Sequence, residues 1–150
     1  MTASKRAFDL VLAVVLGLLF LPVIGIIALA IWLRDGRPVF YVSERMKTPE
    51  EGFDLVKFRT MSFAAADSGV SGGDKSARIT ATGALLRGRR LDELPQLWNV
   101  IRGDISFVGP RPPLRQYVDR FPELYARVLA SRPGITGLAS LRYAAHEERL

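Results

Sequence analysis

The 150-residue chain contains no cysteine and a single histidine. Without cysteine there is no disulfide framework, no thiolate metal site and no cysteine nucleophile. His146 stands alone in a polar tail, which argues against a multi-histidine zinc site or a Ser-His-Asp triad. Acid is scarce relative to base: 15 Asp+Glu face 21 Lys+Arg, for a formal net charge of +6 and a pI near 10.2. Catalysis in such a chain falls to carboxylates, hydroxyls or lysines. The basic stretches carry no interleaved aromatics and no recognisable binding motif, so no nucleic acid is expected as a partner.

Apolar residues, by contrast, make up 49% of the chain and are unevenly placed. No charge occurs from Leu10 to Leu33, about 24 residues, in the range that crosses a bilayer. As a straight helix this run would reach about 36 Å, more than the ~30 Å hydrocarbon core. Pro22, near its middle, lacks an N–H and crowds the carbonyl of Leu18, while Gly17 and Gly25 weaken the helix on either side. Each half then reaches about 18 Å, enough to enter one leaflet. Three courses are open: a plain span, a kinked hairpin that dips in and returns, and a cleaved signal. Lys5 and Arg6 precede the run and Arg34 and Arg37 follow it, so neither end is the positive one. A re-entrant course puts both clusters at one interface. Lys5-Arg6 and Ala28-Leu29-Ala30 resemble the ends of a signal peptide, but the run exceeds the usual apolar length of about 7–15 residues.

Residues 1–36 therefore form a membrane helix with its flanks, and residues 37–150 one mainly helical domain with a small β-hairpin. Val39–Val42 and the alternating Phe53–Phe58 supply the hairpin, joined by a long polar connection from Glu44 to Gly52. The Gly-rich stretch 64–76 reads as a surface loop. Its string Gly69 to Ser76 nearly spells a P-loop, but Asp74 stands at the second required glycine and no strand leads in. Leucines from Leu85 to Leu97 predict helices on either side of a break near Arg89-Arg90, and Leu114–Leu129 predicts one amphipathic helix.

Asp92 and Glu93 are adjacent, and Pro95 follows where proline is tolerated only in a first helical turn. The plainer reading is a helix cap. Arg87, Arg89, Arg90 and Arg111, with Lys75 and Arg78 upstream, surround the couplet with cations. Neighbouring carboxylates repel unless a cation sits between them, and oxygen-only donors point to Mg²⁺ shared with substrate phosphates. An aspartate beside Mg²⁺ can attack phosphorus while arginines neutralise the transferred group. That is phosphoryl chemistry at a membrane surface. The alternative is a non-catalytic, membrane-anchored basic module that binds anionic lipid, at about 1 kcal/mol per cation, or a protein partner.

Several strings occur in order along nearly the whole chain: Lys5-Arg6-Ala7-Phe8-Asp9, Lys57-Phe58-Arg59-Thr60-Met61, Leu91 to Val100, Val108-Gly109-Pro110-Arg111-Pro112 and Pro133-Gly134-Ile135-Thr136-Gly137. Together they resemble the bacterial sugar transferase family, the monotopic phosphoglycosyl transferases. That resemblance implies transfer of sugar-1-phosphate from a UDP-sugar to a polyprenyl phosphate such as undecaprenyl phosphate, releasing UMP and opening synthesis of a surface glycan. It makes Asp92 the nucleophile of a phosphosugar-enzyme intermediate, and Glu93 a ligand of Mg²⁺. Arg87 and Arg111 would contact phosphate groups, with Arg78 a further candidate. It also implies a re-entrant helix kinked at Pro22, with Lys5 and Arg6 at the membrane interface and the catalytic domain on the cytoplasmic face of the inner membrane. The apolar flank permits a homodimer. Leu21 stands before Pro22 where the family often has serine, and Met46-Lys47 follow Arg45 where glycine is more usual. The string ends soon after Tyr143, where family members run on, which puts the sugar pocket and the strength of membrane attachment in question.

Overall fold

The structure is a computed structural model that describes residues 1–62 and 77–142. The Gly-rich stretch 64–76 with Lys75 and the P-loop-like string, and the tail that holds His146, lie outside those residues. A single helix, α1 (Ala3–Asp35), takes up the whole apolar run, with Pro22 inside it and the Thr2 hydroxyl capping its start. Its 33 residues measure about 50 Å. Only Asp9, Ala13, Ile27 and Ile31 are buried, two near each end. The middle presents Val15, Leu19 and Ile26 outward, as a helix surrounded by lipid would.

Both ends of α1 are bonded to the same polar body. At the start, Lys5 pairs with the fully buried Asp9 carboxylate and donates to Ser106 Oγ at 2.8 Å, and Ser106 in turn donates to Asp9 Oδ2 at 2.7 Å. The Arg6 guanidinium donates to the carbonyls of Val100 (2.6 Å) and Ile101 (2.8 Å), which lie in the last turn of α3 (Gln96–Arg102). The Val100 carbonyl also accepts from the capping Gly103 N–H at 3.0 Å, and the guanidinium adds a charged donor at the end of the helix, where it complements the dipole. At the other end Arg59 does the same for α1, donating to the carbonyls of Asp35 (2.5 Å) and Gly36 (2.8 Å), while the Thr80 hydroxyl donates to Asp35 Oδ2 at 3.0 Å. Lys5 and Arg6, expected at the membrane interface, are thus engaged within the fold.

The hairpin pairs β1 (Phe40–Met46) with β2 (Gly52–Phe58), antiparallel, Phe40 opposite Phe58 and Met46 opposite Gly52. β1 runs through Glu44 and Arg45, so the connection is shorter than the polar composition predicted. An antiparallel ribbon keeps pairing with one solvated face, and its far end is held because Met46 is buried against Val118 and Leu129. Beyond it, α2 (Ala81–Gly88) starts at the Thr80 cap. The helix expected over Leu114–Leu129 is two, α4 (Arg115–Arg120) and α5 (Pro122–Val128). Pro122 lacks the N–H that a continuous helix needs, so the chain turns at Phe121 and restarts with proline in the first turn. A second sheet, absent from the sequence expectation, pairs β3 (Ser106–Val108) with β4 (Gly134–Thr136) in parallel, and α6 (Leu138–Arg142) follows. Beside it Gly109 crosses the segment leading into β4 so closely that a Cβ there would lie 2.2 Å from the Arg132 carbonyl oxygen. Only glycine fits.

Asn99 joins sheet to helix. Its amide oxygen accepts from Val56 N–H (3.1 Å), and its nitrogen donates to the Asp54 carbonyl (2.7 Å) and to Asp104 Oδ2 (3.0 Å). The side chain thereby extends the free edge of β2 as a peptide would, and fixes α3 against it. Asn99→Ala leaves these groups unpaired around a fully buried position. It should lower unfolding stability by about 3 kcal/mol, measured by urea titration in detergent micelles; a loss below about 1 kcal/mol would mean that the bridge does not hold the sheet.

Candidate active site

Arg90 turns the chain in the left-handed region (φ 55°), and a single 3₁₀ turn, Leu91–Glu93, follows. For a non-glycine residue that conformation costs about 1–2 kcal/mol. Leu91 and Leu94 pack onto the cluster of Ile27, Ile31, Phe58 and Leu86, which holds both ends of the turn. Between them sit Asp92, buried, and Glu93, whose side chain is 21% exposed. Asp92 is not the cap of α3: Pro95 occupies that position, and no side chain caps it. The carboxylates therefore lie one turn upstream of α3, at the seam between α2 and the end of β2.

Electrostatics binds these residues into one group. Burial, and then the neighbouring Asp92 charge, push the Glu93 carboxyl above the ordinary glutamate range; Arg111, Arg90 and Lys57 oppose the shift. Arg90 Nη1 lies 3.6 Å from Glu93 Oε1. Burial pushes the Lys57 ammonium below the usual lysine range, Asp92 works against that, and Arg87 and Arg45 add to it. Arg45 is lowered by burial and by Arg111. Two acids with Arg111, Arg90 and Lys57 acting on them, and Arg87 and Arg45 acting in turn on Lys57, make a strongly polarised basin in which a group with several negative oxygens would find compensation.

The basin brings together Asp92, Glu93, Arg87 and Arg111 from the sequence expectation. Arg78 is held by Ser62, donating from Nη2 (2.8 Å) and Nε (3.3 Å) to its carbonyl. Pro22 lies on α1, and Lys5 and Arg6 sit at its docked start. Sequence reasoning missed Lys57 and Arg45. Lys57 had a signal: it shares the strand face of buried Phe53 and Leu55, and a charge on the core-facing side of a strand points to a site. Tyr41 opposes it in the ribbon, with the ammonium 5.4 Å from the ring centre. Arg45 carried no comparable signal. Next to the basin, between the middle of α1 and the body, runs an apolar groove of about 430 Å³. Gly17, Leu21, Val56, Leu94, Pro95 and Trp98 are among its walls.

Residues 1–149 match the family model for bacterial sugar transferases. The chain is 41% identical over 143 residues to a UDP-glucose:undecaprenyl-phosphate glucose-1-phosphate transferase of Caulobacter vibrioides, covering 92% of this chain and 53% of that protein. It is 41% identical to the uncharacterised sugar transferase EpsL of Bacillus subtilis, over 91% of this chain and 67% of that one. A UDP-N-acetylgalactosamine-undecaprenyl-phosphate N-acetylgalactosaminephosphotransferase of Aeromonas hydrophila is 36% identical, over 91% of this chain and 33% of its own length. The chain thus spans between a third and two thirds of the length of these three relatives.

Because the raised Glu93 carboxyl binds its proton more tightly in the folded state, its ionisation costs stability as pH rises through and above the ordinary value of 4.5. Glu93→Gln should therefore melt at a higher temperature than the wild type at neutral pH, and the gap should close below about pH 4.5. Melting curves across this range check it; a variant less stable at neutral pH would contradict the repulsion.

Proposed function

The chain belongs to the bacterial sugar transferase family, and we propose that it moves a sugar-1-phosphate from a UDP-sugar to a polyprenyl phosphate such as undecaprenyl phosphate at the cytoplasmic face of the inner membrane. The observation that carries this is the paired carboxylate turn, packed at the foot of an apolar helix, with Lys57, Arg90 and Arg111 acting on it and Arg45 and Arg87 acting on Lys57. A diphosphate needs that charge, and a lipid-borne phosphate needs that location.

In the first step an Asp92 carboxylate oxygen attacks the sugar-bearing phosphorus of the donor. The bond from that phosphorus to the bridging oxygen breaks, UMP leaves with the electron pair, and an aspartyl-phosphosugar remains. In the second, a phosphate oxygen of the acceptor attacks the same phosphorus, restores the carboxylate and forms the lipid diphosphate sugar. Arg111 and Arg87 contact the oxygens of the transferred group, and the basin's other cations hold its charge down. One site serves the soluble donor and the lipid acceptor in turn.

Glu93 fits a hard divalent cation. Its donors are oxygen only, and burial beside the Asp92 charge keeps its carboxyl raised even with Arg111, Arg90 and Lys57 acting against the shift, so a further positive charge there would be stabilised. No cluster of three or more His, Asp or Glu occurs among the described residues, so Mg²⁺ would be held by Glu93, the Asp92 side and substrate phosphates together. When bound, it neutralises negative charge on the donor diphosphate.

A re-entrant course for α1 is supported by its docking. A helix that traversed the bilayer would leave its ends on opposite sides, whereas both ends here are bonded to one body, and Pro22 lies between them. The lipid-binding module is less favoured, because within its basic set Arg90 and Arg111 act on the largely buried Glu93 and Arg78 donates to the Ser62 carbonyl.

With a panel of radiolabelled UDP-sugars and undecaprenyl phosphate, the wild type should release UMP in a Mg²⁺-dependent reaction and label the lipid. Asp92→Asn should lower turnover by at least about 10³-fold. Intact-mass analysis without acceptor should show a phosphosugar adduct on the wild type only. Wild-type turnover in Asp92→Asn would overturn the nucleophile assignment, and a rapid quench without any adduct would favour direct transfer.

A further inference from the structure

Asp9 is the one buried acid of α1, and nothing in the transfer chemistry uses it. Its carboxylate accepts from Lys5, one turn back on the same helix, and from Ser106 Oγ at 2.7 Å. Lys5 Nζ also donates to Ser106 Oγ at 2.8 Å, so both charges of the pair meet the body at one hydroxyl. Ser106 is itself buried, at the start of β3. Shutting an ion pair away from water is a poor way to add stability, and the best-attested use of such a group is to fix the register of packed elements. The rest of α1 leaves its register open. Its other buried residues, Ala13, Ile27 and Ile31, sit in apolar packing, where a slide by one turn, about 5.4 Å, exchanges one aliphatic group for another.

Ser106 opens the run that leads to Arg111. Its N–H donates to the Pro133 carbonyl (2.8 Å), Gly109 N–H donates to the Thr136 carbonyl (2.9 Å), and the Pro110 carbonyl accepts from Gly134 N–H (2.9 Å). Two residues past Arg111, the Pro113 carbonyl accepts from Met46 N–H (2.9 Å). The run from Ser106 to Pro113 is thus bonded on both sides of Arg111 and moves as one piece. We propose that Asp9 and Ser106 are positioning residues for the transfer: their hydrogen bond seats the membrane helix on this run, and so sets where the Arg111 guanidinium stands relative to the acidic turn. The far half of α1 packs against Leu91 and Leu94 of that turn through the cluster of Ile27 and Ile31. One helix therefore gauges the separation of the two halves of the site. The inference rests on the transferase activity proposed above, in which Arg111 contacts the transferred group.

Ser106→Ala cuts the tie and leaves the Lys5–Asp9 pair in place within α1. A triple variant, Lys5→Met with Asp9→Leu and Ser106→Ala, replaces the whole cluster by apolar groups, an exchange that is often neutral or stabilising. In detergent micelles both should melt within about 5 °C of the wild type, while kcat falls about 10- to 100-fold and the UDP-sugar KM stays within about threefold. In an Arg111→Ala background, Ser106→Ala should cost less than about threefold further. Hydrogen exchange of the peptide that contains Gly109 should quicken in both variants, with α5 unchanged. Wild-type kcat in the triple variant, or a Ser106→Ala loss that multiplies in full with that of Arg111→Ala, overturns the positioning role. A triple variant that melts far lower and keeps wild-type turnover per folded molecule gives the cluster to stability alone and overturns it too. A wild type that transfers no sugar phosphate overturns the underlying activity, whereas unchanged exchange around Gly109 overturns the tie whether or not the wild type is active.

Discussion

Two adjacent carboxylates drawn away from water repel one another, and the arrangement of this protein follows from making that tolerable. The couplet is held on a one-turn element whose flanking leucines are set in apolar packing, so the acids cannot swing apart into solvent. Cations then converge from three directions: Lys57 and Arg45 from the hairpin, Arg87 and Arg90 from the end of α2 and the turn, and Arg111 from the segment after β3. Each of these elements is positioned by something else, above all by the Asn99 amide that fixes α3 to β2. Burial raises the electrostatic cost and also the strength of every interaction a substrate phosphate could make there.

The chain's excess of arginine divides into two uses. Arg6 and Arg59 are structural, donating to carbonyls at the C-terminal ends of α3 and α1. Arg90 and Arg111 bear on Glu93, and Arg45 and Arg87 on the neighbouring Lys57. Net charge counts both alike, which is why composition alone makes the surface look more available to lipid headgroups than the folded molecule makes it.

How much was legible depended on the range of the signal. The long apolar helix, the hairpin strands and the acidic couplet before Pro95 are written in a few consecutive residues and were readable. The break at Phe121 was also local, and Pro122 marks it once its missing N–H is weighed above the apolar periodicity. Lys57 and Arg45 join the site only through the β1–β2 register and the docking of α3, neither of which a linear pattern contains. The β3–β4 pair is too short to show alternation, and its clearest trace is the glycines Gly109 and Gly134, which mark a close crossing without naming the partner. The partners of Arg6 and Arg59 are backbone atoms, which leave no mark in sequence.

The attachment of α1 at both ends has a consequence for biogenesis. Arg6 is separated from Val100 by 94 residues and Lys5 from Ser106 by 101. At translation rates of about 5–20 residues per second, the helix leaves the ribosome on the order of 5–20 s before its docking partners exist. During that interval it is an undecided hydrophobic segment, competent for any insertion machinery that meets it. The side of the bilayer on which its C-terminal end settles is decided before the contacts that later tie it down can form.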